Sequence, residues 1–260
     1  MRTYEEYRRI LELWEKEPNK KKIARETGIP RGTVLDCVNT YGSIAGLEAQ
    51  RERASKSRAD FLLSRIRNEA EVQCAYAYAL GLYLGDGYIN LNKNERSYRL
   101  RIALDKKYPN IIERCTQALL AILPNNKVTL VSNVGHFDVT ISNKHLVEIF
   151  PQHGKGTKHT REIKLEVWQQ IIVDLYPLEF FRGLYHSDGS RYSNVVKGKD
   201  YPRYQFTNVS KDIIRLFSDT CDKLGFEWTA KTRLKPLCYD IYISKRKDVD
   251  YLDQVIGAKS

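Results

Sequence analysis

The chain repeats itself at a fixed distance, and this limits its possible folds more than any other feature. Residues 79–87, ALGLYLGDG, match residues 181–189, FRGLYHSDG, with Gly, Leu, Tyr, Asp and Gly at the same places, 102 residues apart. Ile111-Ile112 falls on Ile213-Ile214, and FDVTIS at 137–142 falls on YDIYIS at 239–244, at the same spacing. Three blocks sharing one offset imply two copies of a single structural unit.

Both copies have the same coarse order. A helix closes on Asp-Gly, then come two strands, a helix, two more strands and a closing helix. In the first copy the strands are expected near 88–92, 98–104, 128–131 and 136–142. The second of these is the most informative. Tyr98, Leu100, Ile102 and Leu104 alternate with Arg99 and Arg101, so one face packs and the other is basic and exposed. In the second copy Arg203, Gln205 and Thr207 alternate with Tyr204, Phe206 and Asn208, and Arg191, Lys231 and Arg233 add basic positions on neighbouring strands. A basic β-surface of this kind suits a DNA groove.

An isolated Asp-Gly pair is normally a turn, the glycine supplying a positive φ. Its repetition at the ends of two helices with small-residue faces changes that reading. Gly81 and Gly85 are spaced i,i+4 on one helix, Gly183 and Ser187 on the other, and small residues there let two backbones approach closely. Such packing would set Asp86 and Asp188 side by side. With the carbonyls of Gly85 and Ser187 they would form an all-oxygen site suited to Mg²⁺.

The two motifs resemble the signature of the LAGLIDADG homing endonucleases, and the αββαββα order around each is that family's fold. The resemblance covers roughly residues 72–260, read as repeats at 72–173 and 174–260. It implies an α+β, pseudo-two-fold, single-chain endonuclease that makes a metal-dependent double-strand break, with one aspartate per strand cut. Mg²⁺ is the implied cofactor, with Mn²⁺ as a substitute and Ca²⁺ in a non-cleaving complex. The family also places polar or basic side chains near the metals. The counterparts here are Lys158 in GKGTKHTREI, with Lys155 second, and the repeat-equivalent pair Lys106 and Asn208. The second repeat offers only Lys259 to match Lys158. Relatives that have lost the acidic residues bind DNA without cutting it, and others act as RNA maturases. A DNA-binding regulator and a maturase are therefore the alternative readings. An intein origin is disfavoured, because no splicing residues flank the chain.

The N-terminal residues carry a different pattern. Tyr7, Ile10, Leu11 and Trp14 mark an amphipathic helix, and IARETGIPRGTVLDCV at 23–38 resembles a helix-turn-helix. Ala24 is small where two helices touch, Gly28 suits a φ > 0 turn, and Pro30 suits a helix start. In such a unit Arg31 and Thr33 face base edges, after the basic lead-in Lys20, Lys21 and Lys22. The module is placed at 1–42, and 43–71 is expected to be a basic, partly helical linker.

Composition agrees. Lys and Arg total 43 against 32 Asp and Glu, a net charge of +11, which favours a polyanionic partner. The partner is expected to be double-stranded DNA, met inside the cell by a monomer with no obligatory protein partner. No apolar run is long enough to span a membrane. The five cysteines form no CxxC pair, so neither a zinc site nor a disulfide framework is indicated. The five histidines show no ligand spacing, and His186, inside the second motif, is expected to pack.

Overall fold

The computed structural model describes residues 2–92, 97–235, 237–257 and 259, and divides into two compact units, Met1–Phe61 and Leu62–Ser260.

The first unit is helical. Helix α1 (Tyr4–Lys16) starts in a capping box between Thr3 and Glu6, which satisfies two of the backbone N–H groups a helix start leaves unpaired. Helix α2 (Lys20–Thr27) is capped by Asn19 and ends at Gly28, whose φ of 70° is the left-handed value a β-carbon disfavours. Helix α3 (Arg31–Tyr41) follows directly. Ile10, Leu11, Ile23, Ile29, Val34, Cys37 and Leu47 form this unit's core. The segment expected to be a linker is mostly one 25-residue helix, α4 (Ile44–Asn68). Its Leu47 belongs to the first core, and its Leu62 and Ile66 belong to the second.

The second unit contains both repeats. In the first, α5 (Ala70–Asp86) runs into β1 (Gly87–Leu91) and β2 (Tyr98–Asp105), then α6 (Pro109–Ile122), β3 (Val128–Ser132), β4 (His136–Asn143) and the short α7 (Leu146–Ile149). Helix α8 (Val167–Leu175) stands between the repeats. The second has α9 (Pro177–Asp188), β5 (Gly189–Tyr192), a small β6–β7 hairpin (Val195–Val196, Lys199–Asp200), β8 (Arg203–Asn208), α10 (Lys211–Lys223), β9 (Trp228–Leu234), β10 (Leu237–Ile243) and α11 (Arg246–Val255). Each repeat makes one antiparallel four-stranded sheet, in the orders β1-β2-β4-β3 and β5-β8-β10-β9. The two orders are the same once the hairpin is set aside, so the duplication extends to topology.

Helix α5 is apolar all round, with every residue from Tyr76 to Leu84 buried. A helix of that kind belongs at the centre of a core, and α5 packs against α9 there. Glycines make the contact. A β-carbon on Gly81 would lie 2.6 Å from the Phe180 carbonyl oxygen and 2.6 Å from the Leu184 nitrogen, and one on Gly183 would run into the Tyr78 carbonyl oxygen. The helices therefore meet backbone to backbone, which brings their C-terminal ends together.

A candidate DNA-cleavage centre at the ends of two packed helices

Asp86 and Asp188 are the last helical residues of α5 and α9, and each chain then enters a strand without a loop. Gly87 and Gly189 have φ of −83° and −87°, so the turn geometry expected of an isolated Asp-Gly pair is absent. They are glycines for a different reason. A β-carbon on Gly87 would sit 2.5 Å from the Tyr83 Cα, and one on Gly189 would sit 2.5 Å from the Tyr185 carbonyl oxygen. Only a bare Cα lets the strand leave so close to the last helical turn.

The two carboxylates are neighbours across the helix pair. A β-carbon on Gly85 would touch the Ser187 side chain and lie 2.9 Å from Asp188 Oδ2. Loss of solvation and the nearby Asp188 charge push the Asp86 pKa from its ordinary 3.8 up to about 6, against the pull of Lys158 and Lys259. Burial raises Asp188 too, partly countered by a 2.8 Å hydrogen bond that Asn208 Nδ2 donates to its Oδ2. Asp86 keeps an edge open to solvent while protein atoms crowd the rest of its surroundings, and Asp188 is half-buried. Two helix C-termini converge on the same spot, and their partial negative charge adds to that of the carboxylates.

Two lysines answer that charge, one per repeat. Lys158 Nζ donates to the carbonyls of Tyr83 (2.7 Å), Gly85 and Gly87 (2.9 Å). Lys259 Nζ donates to the Ser187 carbonyl at 3.0 Å. Each also lies over a tyrosine ring, Lys158 over Tyr83 and Lys259 over Tyr185, both at 5.6 Å. Desolvation brings both lysines down to about 8, although the two aspartates pull them up. Lys259 thus occupies in the second repeat the place Lys158 has in the first. The sequence offers Lys259 as the only match for Lys158, and these contacts give the two lysines the same position in their repeats.

The donor set fits a hard divalent cation. It offers two carboxylates and the Gly85 and Ser187 carbonyls, all oxygen, and those carbonyls already receive cationic ammonium groups. No group of three or more His, Cys, Asp or Glu occurs among the described residues, so water and phosphate oxygens would have to complete any coordination.

The other expected site residues separate into groups. Asn208 reaches Asp188, but its repeat partner Lys106 turns to Ser132 Oγ (2.8 Å) and the Asn133 carbonyl (2.6 Å) instead of toward Asp86. Arg99 and Arg101 are exposed on β2, opposite the buried Leu100, Ile102 and Leu104. Arg203, Gln205, Lys231 and Arg233 share the corresponding outer face of the second sheet. Arg191 does not. It pairs with the buried Tyr204 in the register, on the helix side, and forms a bidentate ion pair with Asp253 at 2.6 and 2.7 Å. Its expected place on the DNA-facing surface is therefore corrected to a structural contact with α11. In the first unit Lys20, Lys21, Lys22 and Arg31 are exposed and Thr33 is half-exposed, with Lys22 paired to Glu17 at 2.5 Å. His186 packs as expected: its Nδ1 lies 2.9 Å from the Tyr78 hydroxyl, and desolvation drops its pKa to about 3. All five cysteines are free, and all but Cys74 are buried.

An α+β unit of two αββαββα repeats, joined through a glycine-lined helix pair that ends in two aspartates, is the LAGLIDADG homing-endonuclease fold. Among solved structures, the homing endonuclease I-DmoI in complex with DNA and Mn aligns at a TM-score of 0.52 and 20% identity, over 73% of this chain and 99% of that one. I-DmoI in complex with DNA and Ca aligns at 0.50 and 23% identity, over 71% and 90%. An uncharacterised protein of Methanocaldococcus jannaschii is 25% identical over 143 residues, 54% of this chain. The match takes in 47% of that protein's length. No protein-family model matches the chain. No described helix is long and apolar enough to cross a membrane.

Proposed function

We propose that this chain is a site-specific DNA endonuclease of the LAGLIDADG family, making a divalent-metal-dependent double-strand break at a long, asymmetric site. The observation that carries this reading is the pair Asp86 and Asp188, adjacent at the ends of two helices in backbone contact. An acid costs free energy in such a place unless a cation joins it.

In this reading Asp86 and Asp188, with the Gly85 and Ser187 carbonyls, hold the metal ions. Bound Mg²⁺ would lower the pKa of the attacking water and stabilise charge on the leaving oxygen. Asn208 fixes the Asp188 carboxylate. Lys158 and Lys259, with pKa values brought down to about 8, sit one in each repeat, where each can neutralise phosphate charge or pass a proton to or from water. Arg99 and Arg101 on one sheet, and Arg203, Gln205, Lys231 and Arg233 on the other, line the DNA surface, each sheet covering about one helical turn. The first unit acts as a helix-turn-helix that extends the footprint, through Lys20, Lys21, Lys22, Arg31 and Thr33. Both motifs lie in one chain, so a monomer suffices, acting inside the cell wherever its DNA is.

The test is incubation with a randomised duplex library and Mg²⁺, followed by sequencing of cut ends. Recurrent double-strand cuts at one sequence are expected, and they should vanish with EDTA. Selective binding without cutting would support the regulator instead. Selective binding to RNA with no effect on duplex DNA would support the maturase.

A further inference from the structure

Asp240 is a carboxylate only 1% exposed, on the outer face of a sheet whose core lies on the other side. In β10 it alternates with Ile241 and Ile243, which are buried against the helices. Its neighbours on the outer face fill its acceptor sites. Thr207 Oγ1 donates to Oδ1 at 2.6 Å and Gln205 Nε2 at 3.0 Å; Arg233 donates from Nε to Oδ2 at 2.9 Å and from Nη2 to Oδ1 at 3.0 Å. Burial pushes Asp240 up, but these donors outweigh it and hold the acid ionised below its ordinary range.

The consequence is for Arg233. A guanidinium carries five N–H donors in a fixed plane, and Asp240 takes the two on the Nε side. The Nη1 hydrogens and the second Nη2 hydrogen remain, and none meets an acceptor among the described residues. Two of them form a parallel, end-on fork, and the side chain is 47% exposed. Guanine presents two adjacent acceptors, O6 and N7, in the major groove, and a forked arginine matches them. Most exposed arginines must lose side-chain entropy to hold that pose, whereas this one is already held.

The first repeat lacks the device. Asp138 occupies the position equivalent to Asp240, but the register sets Asn133, just beyond β3, where Arg233 would be, and Asp138 lies beside His136 at 3.5 Å.

We propose that Arg233 reads a guanine in the half-site beneath the second repeat and that Asp240 is the positioning residue that aims it. This rests on the DNA-binding reading above and adds a base identity to it. Gln205 and Thr207 then serve the carboxylate more than the DNA.

The experiment is selection by binding, in Ca²⁺, from a duplex library randomised over about two helical turns. It uses the full chain and the variants Arg233→Lys, Arg233→Gln and Asp240→Asn. The wild type should enrich sites with a fixed guanine, and all three variants should lower discrimination at that one position by about tenfold or more while other positions keep theirs. Arg233→Lys decides between fork and charge, because lysine keeps the charge and loses the fork. Unchanged selectivity in Arg233→Lys means a phosphate contact and overturns the inference. Loss at different positions in Arg233→Gln and Asp240→Asn overturns the role of Asp240. Should Asp240→Asn not fold, the two exposed Arg233 variants still decide whether a guanine is read. A wild type that enriches no sequence removes the parent reading together with this one, so the two failures are distinguishable.

Discussion

The centre depends on single carboxylates. Replacing Asp86 or Asp188 by Asn keeps size and removes the charge that would hold the metal, so each change should abolish double-strand cleavage and leave duplex affinity within a few-fold. Cleavage and binding assays on one substrate check this, and wild-type cutting by either variant would reject that residue. The acid also leaves a mark on stability. In EDTA the folded chain holds the Asp86 proton more tightly than the unfolded chain, with a value of about 6 against 3.8. Stability therefore falls as pH rises through that window and is level above it. Asp86→Asn should melt higher than wild type above pH 6, and the gain should disappear below pH 4; melting curves across that range test the sign. The lysines are separable. If each serves one strand, Lys259→Met or Lys158→Met should make supercoiled plasmid accumulate as nicked circle before it becomes linear. The gathering of Asp86, Asp188 and Lys158 was legible in the sequence, and Lys259 was the one match it offered for Lys158, though no pattern supported that match. Lys259 lies 101 residues after Lys158, one short of the repeat offset, and it follows a different helix. The pairing of Lys106 with Asn208 was legible as register only. A long flexible amine turned to Ser132 and Asn133, and no sequence pattern forecasts a rotamer.

At the level of elements, the strands were readable because alternation and burial share a period of two; β2 was expected at 98–104 and is Tyr98–Asp105. Arg191 shows where that reading failed. It was grouped with basic neighbours without a register, and a shift of one residue along a strand exchanges the faces. The α5–α9 contact makes the sharpest claim at this scale. Gly81→Ala or Gly183→Ala would place a methyl group against partner backbone, which cannot move aside as a side chain could. Each should cost about 1–3 kcal/mol or more, read as a lower melting temperature or denaturant midpoint. An unchanged midpoint in both would mean the helices separate more easily than the backbone contact implies. The segment at 43–71, expected to be partly helical, is mostly the helix α4. Its charges suggested a solvated linker, yet Lys, Arg, Glu and Ala are also good helix formers, and its apolar residues are concentrated toward the two ends.

For the whole molecule, the two separate cores predict that residues 62–260 fold without the first unit and melt cooperatively. If the helices of the first unit lie on DNA, this shortened chain should show a shorter footprint and a shallower salt dependence, by about 0.9 in slope for each lost phosphate contact. An unchanged footprint and slope would leave the first unit a structural role only. The backbone contact between α5 and α9 also preserves a record of descent. Since duplication, the two copies have kept glycine at 81 and 183, where main chains touch, and have drifted at positions that face outward, Val131 against Lys231 and Lys106 against Asn208 among the cases. A homodimer bound to a symmetric site could not have drifted in this way, because every change would have appeared in both halves at once. Fusing the copies into one polypeptide freed each outer face to acquire its own preferences, and the hinge between them stayed as it was inherited.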